Sequence, residues 1–179
     1  MPDTLKIMIT PIALIISSLI GTWRNGLDPR RDLGLQRPTA RHAAIFTLGF
    51  LVLMGLHETL YRLAGMGGQE NDWRKYAPGA LALRVLCVGL IYPFAEELFF
   101  RGFLLGFITR KAGALAGIAI TALLFTALHS LSAGGWTGPL LLFTDGAYFA
   151  FARLRSRSLL LPLAFHVLGN SVAIVERLY

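Results

Sequence analysis

The chain has 179 residues, of which 55% are hydrophobic and only 15% charged, with a mean hydropathy of +0.60. A soluble domain of this length usually carries about 25% charged residues, so the composition excludes an ordinary water-soluble fold and fits a multi-span membrane protein. The net charge of +7 comes from basic residues lying between apolar runs, as in positively charged cytoplasmic loops, which argues against a nucleic-acid partner.

Lys6 is the one basic residue at the start of the first apolar run, Leu5 to Trp23, and no cleavage site follows it; a signal anchor is expected there rather than a removed signal peptide. This run contains Pro11. The connector "RNGLDPRRDLGLQRPTARH" carries five Arg against two Asp, and its Pro and Gly argue against a regular helix. A second span is predicted from Ala43 to Ala64, followed by the mixed-charge connector "GMGGQENDWRKYAPG". "HETL" at His57-Glu58 has Tyr61 where HExxH would have its second His, so it reads as a helix end near the membrane surface.

The apolar run from Ala80 to Ile108 is too long for one straight span of a ~30 Å hydrocarbon core. Pro93 lies inside it, and one long bent helix or two pieces meeting at Pro93 are both compatible with the pattern. "TRKAG" is a tight turn. Further helices are predicted from Ala114 to Leu131, from Pro139 to Ala152 and from Leu159 to Val175, separated by "SAGGWTG" and the basic turn "RLRSRS". The expectation is an all-α, polytopic membrane helix bundle of about six spans, one transmembrane domain over residues 1–179. Connectors around Arg30, Arg110 and Arg155 fall on one side, which the positive-inside rule makes cytoplasmic. Trp23, Trp73 and Trp136 sit near span ends, as interfacial anchors do. Cys87 is the single cysteine, so no intrachain disulfide or Cys-based zinc site is possible.

Within this apolar chain, "FAEELFFRGF" places three ionisable groups together. Each costs about 2.5–3.5 kcal/mol at membrane depth unless paired or facing a wet interior. Glu97 and Arg101 are four residues apart on one helix face and can pair. Glu96 points about 100° away and stays available, as a general base requires. "FTALHS" puts Phe125 and His129 on one face, and "AFHVLGNSVA" does the same for His166 and Asn170. Glu96 lies 15 residues before Lys111 and His129 lies 18 after it. Their depths from that turn are about 22 and 27 Å, so an antiparallel pair brings them level. Asp145 and His166 come level about the Arg155 turn in the same way. Asp145 is then a supporting carboxylate that orients His166, receives Arg101 or lines a wet cavity. Gly102 with Gly106, and Gly113 with Gly117, form small-xxx-small pairs that would let the two backbones approach closely. Gly-rich "GMGGQ" reads as a plain loop, and Ser130 and Ser132 have no elbow context for a nucleophile.

The ordered set Glu96-Glu97-x-x-x-Arg101, Phe125-x-x-x-His129 and His166-x-x-x-Asn170 resembles the CAAX protease and bacteriocin-processing family of intramembrane endopeptidases, which includes the type II CAAX prenyl endopeptidases. The resemblance runs from Val85 to the C-terminus and makes residues 85–179 the expected catalytic core. It implies hydrolysis of a peptide bond by activated water, with Glu96 as general base and His129 holding the water. It further implies that His166 and Asn170 stabilise the oxyanion, and that Glu97 with Arg101 braces the first helix. No cofactor is expected; the alternative is zinc on Glu96, His129 and His166. The implied partners are the lipid bilayer and a membrane-anchored protein or peptide substrate. The short chain suggests a bacterial inner-membrane member cutting a peptide pheromone, a bacteriocin leader or a C-terminal membrane anchor. Two rival classes are a non-enzymatic scaffold or immunity protein, and a proton-coupled transporter, which the lack of repeat symmetry disfavours.

Overall fold

A computed structural model describes residues 3–65, 73–130 and 137–179. Its elements are α1 (Asp3–Arg24), α2 (Ala40–Leu63), a 3-10 turn (Trp73–Lys75), α3 (Pro78–Leu86), α4 (Tyr92–Glu97), α5 (Leu105–Ser130), α6 (Thr137–Ser156) and α7 (Leu160–Leu178). Among the described residues there is no strand, and the molecule is an all-α bundle. Among the described residues, three stretches are long and apolar enough to cross a membrane: Ile7–Arg24, Ala40–Leu63 and Pro78–His129. The third contains two rods, because Gly113 at φ 86°, ψ 167° breaks α5 at the expected turn. Only glycine adopts that backbone conformation readily.

Pro93 does not split the chain. α3 continues into α4 and α5 through two π-helical segments, Cys87–Ile91 and Leu98–Leu104. The first widens the helix just before the proline, where the missing N–H would otherwise break the ladder. Tyr92 N–H bonds the Cys87 carbonyl, five residues back. Pro93 has no hydrogen to offer, so the Val88 carbonyl is left without its usual helical partners.

Two apolar clusters set the positions of the remaining rods. Phe46 and Phe50 of α2 pack on Phe149 and Ala152 of α6 and on Leu161 and Phe165 of α7; the Phe50 and Phe165 rings stack at 4.6 Å. Leu33, Leu98 and Leu159 form the second cluster. It ties the α1–α2 connector to the start of α7, where Leu159 N–H donates to the Gly34 carbonyl and Ser158 Oγ to the Gln36 carbonyl. Gly34 sits at φ 74° with the Arg153 guanidinium packed against it, leaving no space for a Cβ. This connector closes the bundle at the N-terminal ends of α2 and α7.

The glycine pairs act differently from the expectation. Gly117 does bring the second rod of α5 against Thr109 and Leu105 of the first. Gly102 and Gly106 instead face Leu33 and Asp32 of the connector, and Gly113 makes the turn. Gly146 of α6 lets α6 approach the backbone of α5 closely: a Cβ there would lie 3.1 Å from the Ala122 Cα. Trp73, expected as an interfacial anchor, is buried, with the Arg84 and Arg177 guanidiniums each 5.7 Å from its ring. Trp23 is exposed as expected. Trp136, Ser132, the side chain of Ser130 and most of the "GMGGQ" loop lie outside the described residues.

Candidate active site

Glu96 and Glu97 end α4, between the two π-helical segments, and their side chains part as the helical wheel requires. Glu97 and Arg101 are fully buried, and Arg101 Nη1 donates to Glu97 Oε1 at 2.7 Å. Arg101 Nη2 reaches the Gly146 carbonyl at 3.3 Å, and the Phe125 and Phe149 rings lie 4.4 and 5.4 Å from the guanidinium. One cation thus locks α4 to α5 and α6 inside an aromatic cage.

Glu97 has a second partner. Its Oε1 accepts from His166 Nδ1 at 3.0 Å, a carboxylate being acceptor-only. The His166 Nδ1 therefore carries a hydrogen, and Nε2 is the lone-pair nitrogen of the neutral ring. His129 is oriented alike, its Nδ1–H donating to the Phe125 carbonyl at 2.8 Å, one turn back in α5. Both imidazoles aim Nε2 at the same atom: Glu96 Oε2 lies 3.7 Å from His129 Nε2 and 3.7 Å from His166 Nε2. These gaps are too long for direct hydrogen bonds and short enough for a shared donor held between them.

Asn170, one turn after His166, donates from Nδ2 to the Val88 carbonyl at 2.7 Å, the acceptor orphaned ahead of Pro93. A cavity of about 950 Å³ opens beside this cluster. His129, His166, Asn170 and Asp145 line it, together with α2 residues from Phe50 to Arg62. The structure therefore brings Glu96, Glu97, Arg101, His129 and His166 into one connected group, with Asn170 beside them on the cavity wall.

Asp145 neither orients His166 nor receives Arg101. It lines the cavity, and its partner is His57 of α2, Nδ1 to Oδ1 at 3.5 Å. His57, in the last two turns of α2, thus has a tertiary partner that a test for HExxH alone could not reveal. The usable signal was that Asp145, at membrane depth, needed a partner, and that α2 carried an imidazole. Glu58 does sit near the rim, paired with Arg62 one turn on. Among the described residues, no group of three or more His, Cys, Asp or Glu side chains is disposed to hold a metal ion.

Comparison with known proteins gives one match. The family model described as Type II CAAX prenyl endopeptidase Rce1-like covers residues 78–172, a span that includes every residue of the connected group and Asp145 but not His57. No curated protein and no solved structure matched the chain.

Proposed function

Since the chain belongs to the type II CAAX prenyl endopeptidase Rce1-like family, a family of membrane proteases, we propose that it is an endopeptidase whose nucleophile is a water activated by Glu96. The observation that carries this reading is the shared target of the two imidazoles. Glu96 Oε2 and the two Nε2 nitrogens converge, each nitrogen 3.7 Å from the oxygen. A water between them donates one hydrogen to the carboxylate and another to an imidazole, leaving its lone pair free.

In the step itself, Glu96 takes a proton from the water as the oxygen attacks the peptide carbonyl carbon. The carbonyl π pair moves onto oxygen. Glu96 then delivers the proton to the departing amine nitrogen as the C–N bond breaks, so the carboxylate is regenerated. His166 acts as oxyanion donor when its Nε2 is protonated. Glu97 against Nδ1 stabilises that imidazolium, in the way a buried carboxylate does for a catalytic histidine. Asn170 keeps one amide hydrogen beyond the one bonded to Val88 and can add to the same site. His129, held by its own helix, positions the water. The aromatic cage around Arg101 fixes Glu97 and through it His166.

The substrate is a membrane-anchored protein or peptide, and the location a bacterial inner membrane with the Arg-rich connectors cytoplasmic. The test is cleavage of candidate anchored peptides by purified protein, wild type against Glu96→Gln, with metal analysis of the same preparation. General acid–base catalysis contributes about 10²–10⁴-fold, so Glu96→Gln should lose at least that much while melting like wild type. An active Glu96→Gln protein refutes the assignment. Activity that follows a stoichiometric metal would move the chemistry to the zinc version.

A further inference from the structure

The cavity wall facing the catalytic group carries a polar pair that the chemistry above does not use. His57 projects from α2, Thr144 and Asp145 from α6, and both His57 and Asp145 line the cavity. Thr144 Oγ1 gives its one hydrogen to the Leu141 carbonyl at 2.7 Å, so toward His57 it can only accept. His57 Nε2, 2.9 Å from that oxygen, therefore carries the hydrogen of the neutral ring. Nδ1 is then a lone pair, and it faces Asp145 Oδ1 at 3.5 Å. With His57 neutral and Asp145 ionised, two acceptors oppose each other across this gap, and the Asp145 side chain is 29% accessible, so the gap opens on the cavity. Arg101 is paired with Glu97 and Arg62 with Glu58.

We propose that His57 Nδ1 and Asp145 form a subsite for a basic side chain of the substrate, lysine or arginine. An ammonium or guanidinium between them donates to both acceptors and neutralises the carboxylate, at a depth where an uncompensated charge is costly. The proposal rests on the endopeptidase reading, because the subsite shares its cavity with His129, His166 and Asn170. Phe149, one turn beyond Asp145, has its ring 5.9 Å from that of His166. The basic residue is thus held close in sequence to the cleaved bond. His57 lies outside the segment matched by the family model, and Asp145 lies within it. The rival is a doubly protonated His57 that donates to Asp145 and merely ties α2 to α6.

The test uses detergent-solubilised full-length Glu96→Gln protein to retain peptides without turnover. The probe is a library of apolar peptides carrying Lys, Arg, Gln or Glu at each position in turn, and retained peptides are sequenced. One position should favour Lys or Arg by about tenfold or more, as a charged hydrogen bond in a desolvated site provides. Adding Asp145→Asn, which keeps size and fold, should erase the preference; adding Asp145→Glu should keep it. No basic preference at any position overturns the subsite, as does one that survives Asp145→Asn. A purely structural tie would lower the melting temperature of the Asp145→Asn protein without altering which peptides are retained. Wild-type protein is then given the same peptides. Basic peptides retained yet left uncut would sink the endopeptidase reading and leave the subsite standing; cleavage without a basic preference would do the reverse.

Discussion

Replacing Arg101 by Met probes the link on which the site geometry depends. The guanidinium is fully buried, 2.7 Å from Glu97 Oε1, and donates to the Gly146 carbonyl at 3.3 Å. At an effective dielectric constant of about 20, the attraction across 2.7 Å is about 6 kcal/mol. Desolvation of both ions offsets most of that in the intact pair, but removing one partner leaves the other charge buried and unpaired, at a cost of about 3–5 kcal/mol. Arg101→Met should therefore lower unfolding stability by that amount. The double variant Glu97→Gln/Arg101→Met removes both charges, and Gln can still accept from His166 Nδ1. It should recover all but about 1–3 kcal/mol, the share of the lost ring contacts and the Gly146 hydrogen bond. Denaturant titration in mixed micelles, run as a double-mutant cycle, measures both quantities. An Arg101→Met protein within about 1 kcal/mol of wild type, or a double variant no more stable than the single one, would refute the reasoning.

Two further outcomes follow from backbone geometry. Gly146→Val sets a side chain against the Ala122 Cα, 3.1 Å from the Cβ position; it should cost about 1–3 kcal/mol by overpacking, read as a lower melting temperature, and a neutral result would mean that α5 and α6 can move apart freely. Asn170→Ala leaves the Val88 carbonyl without its donor. A stability loss of about 1–3 kcal/mol is expected, even for protein whose catalysis is already silenced by Glu96→Gln, and no loss there would restrict Asn170 to chemistry alone.

Much of the site was legible because helical periodicity is local. The four-residue steps Glu97–Arg101, Phe125–His129 and His166–Asn170 fix which side chains share a face, and counting back from the Lys111 turn brought Glu96 level with His129, as the 3.7 Å separation reflects. The separation of Glu96 from Glu97 needed no more than the 100° step of the helix. Other features were visible in the residues but not in their meaning. Pro93 announced a disturbance, yet whether it would break the helix or widen it depended on neighbours able to satisfy the freed carbonyl.

The chain by itself thus determined its solvent, its rods and the division of labour between adjacent carboxylates, since these follow from hydropathy and the repeat of a single helix. Only the tertiary structure decided that Asn170 serves the Val88 carbonyl, that Glu97 holds His166 as well as Arg101, and that His57 meets Asp145. The pairs Asn170–Val88, Glu97–His166 and His57–Asp145 each join residues 69 or more positions apart. Such partners are chosen by how aromatic and glycine contacts such as Phe50–Phe165 and Gly146–Ala122 set the rotation and spacing of whole helices, and no local period encodes that rotation.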